Sequence, residues 1–115
     1  MELPGVVERQ VGPDGVRIEL DVHPGLQCFE GHFPGHPVLP GVVQIAWGVH
    51  FSRECFSYGP AIRALEHIKF KKPIHPGSQV YLLLKRDRRD GSVDFEYYDA
   101  DVSYASGTLR FMDST

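Results

Sequence analysis

The chain alternates apolar and charged residues most strictly in the segment Val16-Arg17-Ile18-Glu19-Leu20-Asp21-Val22. Successive side chains of a β-strand point to opposite faces, so this alternation predicts a strand with one buried and one solvated face. A turn at Pro13-Asp14-Gly15 separates it from a shorter candidate strand, Val6 to Gln10, because proline presets its dihedral and glycine accepts positive φ. The two segments together predict a hairpin.

The most apolar segment opens at Pro40-Gly41 and runs to about Phe56, and Gly59-Pro60 stops it. Apolar residues recur here at intervals of three and four, which is typical of a helix: Val42, Ile45, Ala46, Val49 and Phe56. Others widen the stripe almost all the way round: Val43, Trp47 and Phe51. A helix that is apolar on nearly every side is expected to be buried.

The rest of the chain predicts four more strands, bounded by turn residues such as Asp90-Gly91 and Asp99-Ala100-Asp101. Gly107 is a candidate β-bulge. The four strands are Ala61 to Phe70, Gln79 to Arg86, Val93 to Tyr98 and Val102 to Met112. One helix too apolar for any surface must be wrapped by the sheet, so residues 1–115 predict a single α+β domain of order β-β-α-β-β-β-β.

Charge and composition exclude several classes of protein. The net charge of −3 gives no general attraction for nucleic acid or an anionic membrane. The sequence contains no run of about 20 apolar residues, which a transmembrane helix requires. The segment Met1-Glu2-Leu3-Pro4-Gly5 lacks a secretion signal, and Cys28 and Cys55 are too few for a disulfide framework. We therefore expect a cytoplasmic protein with two reduced thiols.

Residues 29–40 combine three prolines with Gly31 and Gly35, which predicts an ordered but irregular loop. His32 lies in this loop and is a candidate general base, because the unperturbed pKa of histidine is about 6.5; alternatively, it merely bonds a backbone carbonyl. Gly41 follows at the helix start, where backbone N–H groups have no intrahelical partner. That N–H could polarise a carbonyl, or the glycine could serve close helix packing.

The motif His32-Phe33-Pro34-Gly35-x-Pro37-x-x-Pro40-Gly41-Val42 resembles the first signature of the hot-dog-fold 3-hydroxyacyl-(acyl-carrier-protein) dehydratases of the FabZ/FabA type. Lys69-Phe70-Lys71-Lys72-Pro73-Ile74-x-Pro76-Gly77 is similar to their second signature. The resemblance covers about residues 16 to 112. Within the family, the chain resembles most the shorter dehydratase-like proteins found beside aryl-polyene and other lipid-like biosynthesis genes.

This resemblance implies a helix wrapped by an antiparallel sheet, and a homodimer whose sheets join edge to edge. It implies a site at the subunit interface for an acyl thioester of acyl carrier protein or coenzyme A. His32 would be the base and would work with an acidic residue on the central helix of the other subunit, and the Gly41 N–H would polarise the thioester carbonyl. The expected substrate-binding residues are Phe33, Pro34, Gly35, Val42 and Trp47, although Val42 and Trp47 could instead be core residues. We expect neither a metal nor another cofactor.

The chain departs from the family at one position. The family's Glu or Asp lies fourteen residues after the histidine, and that position is Ala46. Three accounts stay open. In the first, another residue replaces the acid: His50, one helical turn further along the same face, His36 or Glu54. In the second, His32 acts alone with the help of water. In the third, the protein has lost dehydration activity and either binds acyl thioesters or pairs with an active homologous dehydratase.

The sequence also suggests a weaker functional alternative and a possible binding surface. Hot-dog proteins also hydrolyse thioesters, so an acyl thioesterase is a weaker alternative. Basic residues cluster in the second half of the chain, where they could meet an anionic carrier or coenzyme A or form a plain solvated face: Lys69, Lys71, Lys72, Lys85, Arg86, Arg88 and Arg89.

Overall fold

The computed structural model of the protein describes residues 2–30 and 35–112. Its helix and strands follow the predicted order: β1 (Gly5–Val11), β2 (Gly15–Val22), α1 (Gly41–Phe56), β3 (Ile62–Phe70), β4 (Ser78–Asp87), β5 (Ser92–Asp99) and β6 (Val102–Phe111). A short 3-10 helix, Gln27–Phe29, was not predicted. The strands form one antiparallel sheet of order β1-β2-β4-β5-β6-β3 within the described residues.

The core lies between α1 and one face of this sheet. The apolar residues of the alternating β2 segment are all buried, as the alternation predicted. The helix approaches the sheet closely at Gly48, where a Cβ atom would lie 3.5 Å from Leu109 Cδ1 and 3.9 Å from Phe95 Cγ. The Tyr97 hydroxyl on β5 donates a 2.6 Å hydrogen bond to the Gln44 carbonyl, which fixes the helix over β5.

The helix is buried on one face only, whereas its composition predicted burial almost all round. The buried residues are Gln44, Trp47, Gly48, Phe51, Ser52 and Phe56. The opposite face, which includes Ile45, Ala46 and Val49, is half-buried, and Val42 is 76% exposed. The reason is geometric: one sheet covers one side of a helix, so the other side stays apolar and uncovered in a single chain.

The predicted bulge at Gly107 lies on the neighbouring strand instead. Glu66 pairs with Thr108 and Lys69 pairs with Ser106, so two residues of β3 face Gly107. One of them, His67, has a φ of 55°. The extra residue therefore belongs to β3, and Gly107 is the small residue opposite it.

The described residues contain no helix with the length and apolarity needed to cross a membrane.

Candidate functional site

The site begins where the loop enters the helix. Pro40 is the N-cap and has no side-chain acceptor, and its carbonyl accepts hydrogen bonds from the N–H groups of Val43 and Gln44, both at 3.1 Å. Within residues 2–30 and 35–112, no acceptor pairs with the Gly41 N–H. This group is therefore available to a ligand at the positive end of the helix dipole.

The two signature segments of the sequence meet at this point. The Leu39 N–H donates a 2.8 Å hydrogen bond to the Ile74 carbonyl. The Phe70 ring occupies the space beside Gly41, where a Cβ atom would lie 2.6 Å from Phe70 Cζ. Gly41 is thus required for packing against Phe70, and this requirement is compatible with a role for its N–H.

A cavity of about 450 Å³ opens beside the first turns of α1. It is lined by Glu2, Gln27, Cys28, Val42, Val43 and Ala46. A volume of this size is within the range that holds small-molecule ligands. Ala46, where the family resemblance leads us to expect a carboxylate, therefore lines a mostly apolar space that is large enough for part of an acyl chain.

His50 lines a different cavity, of about 260 Å³, with Arg53, Glu54 and Tyr58. Its Nε2 atom lies 3.4 Å from Glu54 Oε2, and its ring packs edge-on against Phe51 at 5.1 Å. Glu54 also forms an ion pair with Arg9 of β1. The structure therefore brings His50 and Glu54 together but places them in a cavity separate from that of Ala46.

The other predicted site residues are distributed as follows. His32, Phe33 and Pro34 lie outside the described residues. Gly35 is exposed with a φ of 87°, and His36 is exposed next to it.

Trp47 is fully buried in the core, and its Nε1–H donates a 2.9 Å hydrogen bond to the Glu2 carbonyl. Val42 lines the cavity of about 450 Å³ beside the first turns of α1.

Both cysteines are free thiols, as the sequence predicted. Burial raises the pKa of the Cys28 thiol, and the Glu2 carboxylate adds to this increase. Burial likewise raises the pKa of Cys55, with Arg9 acting in the opposite direction. The thiolate is the nucleophilic form of cysteine, so neither residue is activated for attack.

The basic residues of the second half form two surfaces rather than one. Lys69, Lys71 and Lys85 share a groove of about 430 Å³ with Asp94 and Glu96. A second groove, of about 630 Å³, includes Arg63, Arg86, Arg88, Arg89 and Arg110.

Several of these arginines are paired with carboxylates: Arg88 hydrogen-bonds Asp14 at 2.5 Å and Arg89 hydrogen-bonds Asp87 at 3.1 Å. The pKa of Asp14 and of Asp87 is lowered by these hydrogen bonds.

Sequence reasoning missed Glu2 as a residue near the site. Its backbone carbonyl accepts from Trp47, and its carboxylate accepts from the Gln27 N–H at 2.5 Å. No motif or spacing indicated this, because the contact joins residues 45 positions apart. Among the described residues no group of three or more His, Cys, Asp or Glu side chains could hold a metal ion.

The fold and the loop-to-helix junction define the class of protein: a long helix against a six-stranded antiparallel sheet, which is the hot-dog fold. The chain belongs to the ApeI-like dehydratase family, whose model matches residues 3–108.

Individual relatives agree with this assignment. A chain of the dehydratase heterocomplex ApeI:P from Xenorhabdus doucetiae superposes with a TM-score of 0.90 at 31% identity, over 97% of this chain and 100% of that one. The 3-hydroxyacyl-(acyl-carrier-protein) dehydratase FabZ of Streptococcus suis is 35% identical over 72% of this chain and 66% of its own length. FabZ of Fusobacterium nucleatum is 38% identical over 54% of this chain and 48% of its own length. The chain thus spans about half to two thirds of these curated relatives.

Proposed function

We propose that the protein is a dehydratase of 3-hydroxyacyl thioesters in fatty-acid or polyene-type biosynthesis. One observation carries the proposal: the Gly41 N–H, which has no acceptor among residues 2–30 and 35–112, lies at the start of the helix whose next turns, Val42 to Ala46, line an apolar cavity of about 450 Å³. An acyl thioester needs both features, a donor for its carbonyl and an apolar space for its chain. The names of the FabZ relatives support the substrate class.

The chemistry has three requirements. A base removes the proton next to the carbonyl, a donor stabilises the enolate oxygen, and an acid helps the hydroxyl to leave. In the proposed mechanism His32 is the base and the Gly41 N–H is the donor. Phe33, Pro34 and Gly35 would form the substrate-facing part of the loop. The reaction needs no cofactor, because every step is a proton transfer or a bond rearrangement within the substrate.

We further propose that the site is completed by a second subunit at the β3 edge of the sheet. Leu65 and Phe70 of β3 are 46% and 50% exposed, and Phe70 packs beside Gly41, next to the exposed Val42. A second copy of the chain would cover this apolar side. A homologous dehydratase could do the same, and the heterocomplex of the Xenorhabdus relative supports that option. The two free thiols suit the reducing cytoplasm, which is the location we propose.

The function is tested by assaying the purified chain with 3-hydroxyacyl thioesters of acyl carrier protein and of coenzyme A. We expect formation of the 2-enoyl thioester, with a loss of about 10²–10⁴-fold in His32→Ala because a positioned base is removed. His23→Ala, at an exposed histidine outside the loop, is the matched control. Equal turnover by wild type and His32→Ala would show that His32 is not the base, and release of free thiol would indicate a thioesterase.

A second candidate function follows from Ala46. A chain without its acid could bind acyl thioesters or serve as the partner of an active dehydratase. An acyl ligand retained through purification and detected by mass spectrometry, in a chain that turns nothing over, would favour this alternative.

A further inference from the structure

An exposed acidic residue, Glu2, lines the cavity beside Ala46, although the helix itself supplies no carboxylate there. Glu2 lines that cavity together with Val42, Val43 and Ala46. We infer that Glu2 is the acid of the dehydration reaction and replaces the carboxylate that the helix lacks at Ala46. This inference rests on the proposed function, since an acid is needed only if the hydroxyl leaves.

The segment before β1 holds Glu2 in a defined place. The Trp47 Nε1–H donates to the Glu2 carbonyl at 2.9 Å, and Trp47 is itself fully buried. Pro4 is buried as well, and Leu3 packs against the core. The Glu2 backbone is therefore anchored to the same helix that carries Ala46.

One oxygen of the Glu2 carboxylate is held by a hydrogen bond, and the other could act on a substrate. Oε1 accepts a hydrogen bond from the Gln27 N–H at 2.5 Å, while Oε2 has no hydrogen-bond donor among the described residues. Burial raises the pKa of the Cys28 thiol, which lines the same cavity, and the Glu2 charge adds to this increase. Of the described residues that line this cavity, only Glu2 carries a carboxylate.

The other candidate acids are less well placed. His50 and Glu54 line a separate cavity, where they face each other and Arg9 pairs with Glu54. His36 lines neither of these two cavities. Glu2 is thus the one candidate that shares a cavity with Ala46.

The proton balance of the step is complete without another reactant. His32 takes the proton from Cα, and the electrons of that bond form the Cα–Cβ double bond through the enolate. The Cβ–O bond breaks, and the hydroxyl leaves as water with a proton from the Glu2 carboxyl group. The enzyme returns to its starting state when the proton on His32 passes to solvent and Glu2 regains one from solvent.

The test compares variants of the full chain with the wild type. Glu2→Gln keeps an oxygen that can accept from the Gln27 N–H but removes the acid, so we expect kcat to fall by about 10²–10⁴-fold. Glu2→Asp should retain part of the activity. Ala46→Glu should restore at least tenfold in the Glu2→Gln background but change wild type little, because the two carboxyl groups would perform one task. Glu8→Gln, at an exposed carboxylate of β1, is the control.

The outcomes separate the inference from the proposed function. An active wild type with an equally active Glu2→Gln variant overturns the role of Glu2 and leaves the dehydratase standing. A loss in His50→Gln but not in Glu2→Gln assigns the acid to His50 instead. Equal gains from Ala46→Glu in both backgrounds also overturn the inference, since Glu2 would then contribute nothing at this position. An inactive wild type overturns both the proposed dehydratase function and the role of Glu2 as its acid.

Discussion

Gly107 shows how one residue can be fixed by the strand beside it. Two residues of β3 face it across the bulge, and Ile68 of that pair lies over the glycine. On its other side, the buried ring of Phe95 leaves only 2.8 Å between Cε2 and the position of an added Cβ. A side chain at this position must therefore displace a core aromatic.

We predict that Gly107→Ala lowers the free energy of unfolding by about 1–3 kcal/mol, because the added methyl group overpacks the core. Urea unfolding followed by circular dichroism measures the change. Gly59→Ala is the control, since no atom lies within 4 Å of its added Cβ and it should stay within about 0.5 kcal/mol of wild type. An unchanged midpoint for Gly107→Ala would mean that the side chains of Ile68 and Phe95 move aside at no cost.

Residue type alone could not point to Glu2 as the acid that we propose. His50 lies on the predicted face of the helix one turn after Ala46, yet the structure places the two in separate cavities. Glu2 lines the cavity of Ala46, and hydrogen bonds from Trp47 and Gln27 hold it there. Contacts of this kind depend on packing between distant segments, and no periodicity records them.

At the scale of elements, α1 and β5 are joined by a buried hydrogen bond. The Tyr97 hydroxyl donates to the Gln44 carbonyl at 2.6 Å and is completely buried. Burial raises the pKa of Tyr97 well above its ordinary value, because the phenolate would lose its hydration. The link therefore exists only in the protonated form.

We predict that Tyr97→Phe costs about 1 kcal/mol at neutral pH, the usual net value of a hydrogen bond. In wild type, the native state keeps a proton that the unfolded chain loses above about pH 10, so stability is full below that pH and falls as the pH rises. The variant should lose stability less steeply in this range. Urea titrations at a series of pH values measure both effects.

The matched control is Tyr98→Phe, which removes a half-buried tyrosine from the same strand. It should leave the alkaline slope of wild type in place. Parallel slopes for wild type and Tyr97→Phe would contradict the assignment of this pH dependence to Tyr97.

The elements themselves could be predicted well because their causes are local. Strict alternation in β2 and turn residues at Ala100-Asp101 gave bounds that differ from the structure by about one residue. The exposed side of α1 could not be predicted, because Val42 and Phe51 are equally apolar in sequence and only the sheet distinguishes them. The position of β3 at an edge of the sheet likewise depends on its pairing with β6, far along the chain.

At the scale of the whole molecule, the proposed dimer depends on which edge of the sheet is used. Both β1 and β3 are edge strands in the described sheet. Leu65 on β3 is 46% exposed and Val7 on β1 is 56% exposed, so the two edges offer a matched comparison.

We predict that Leu65→Asp weakens self-association by at least tenfold, because a charge would be buried at the subunit contact. Val7→Asp should leave it unchanged. Sedimentation velocity over a range of protein concentrations measures the two constants. A stronger effect of Val7→Asp would move the interface to β1, and a wild type that stays monomeric would leave only a homologous partner for the β3 edge.

The strand order also governs what happens while the chain is being made. Ile62 of β3 pairs with Phe111 and Val22 of β2 pairs with Ser78, so before the second half has been synthesised β3 has no partner strand and β2 pairs only with β1. Until then only the β1–β2 hairpin can cover the apolar helix, and such exposed surface favours aggregation. A chain that stops at Gly77 should therefore bind a hydrophobic dye and unfold without a cooperative transition; a sharp transition in that fragment would show that the first half folds by itself.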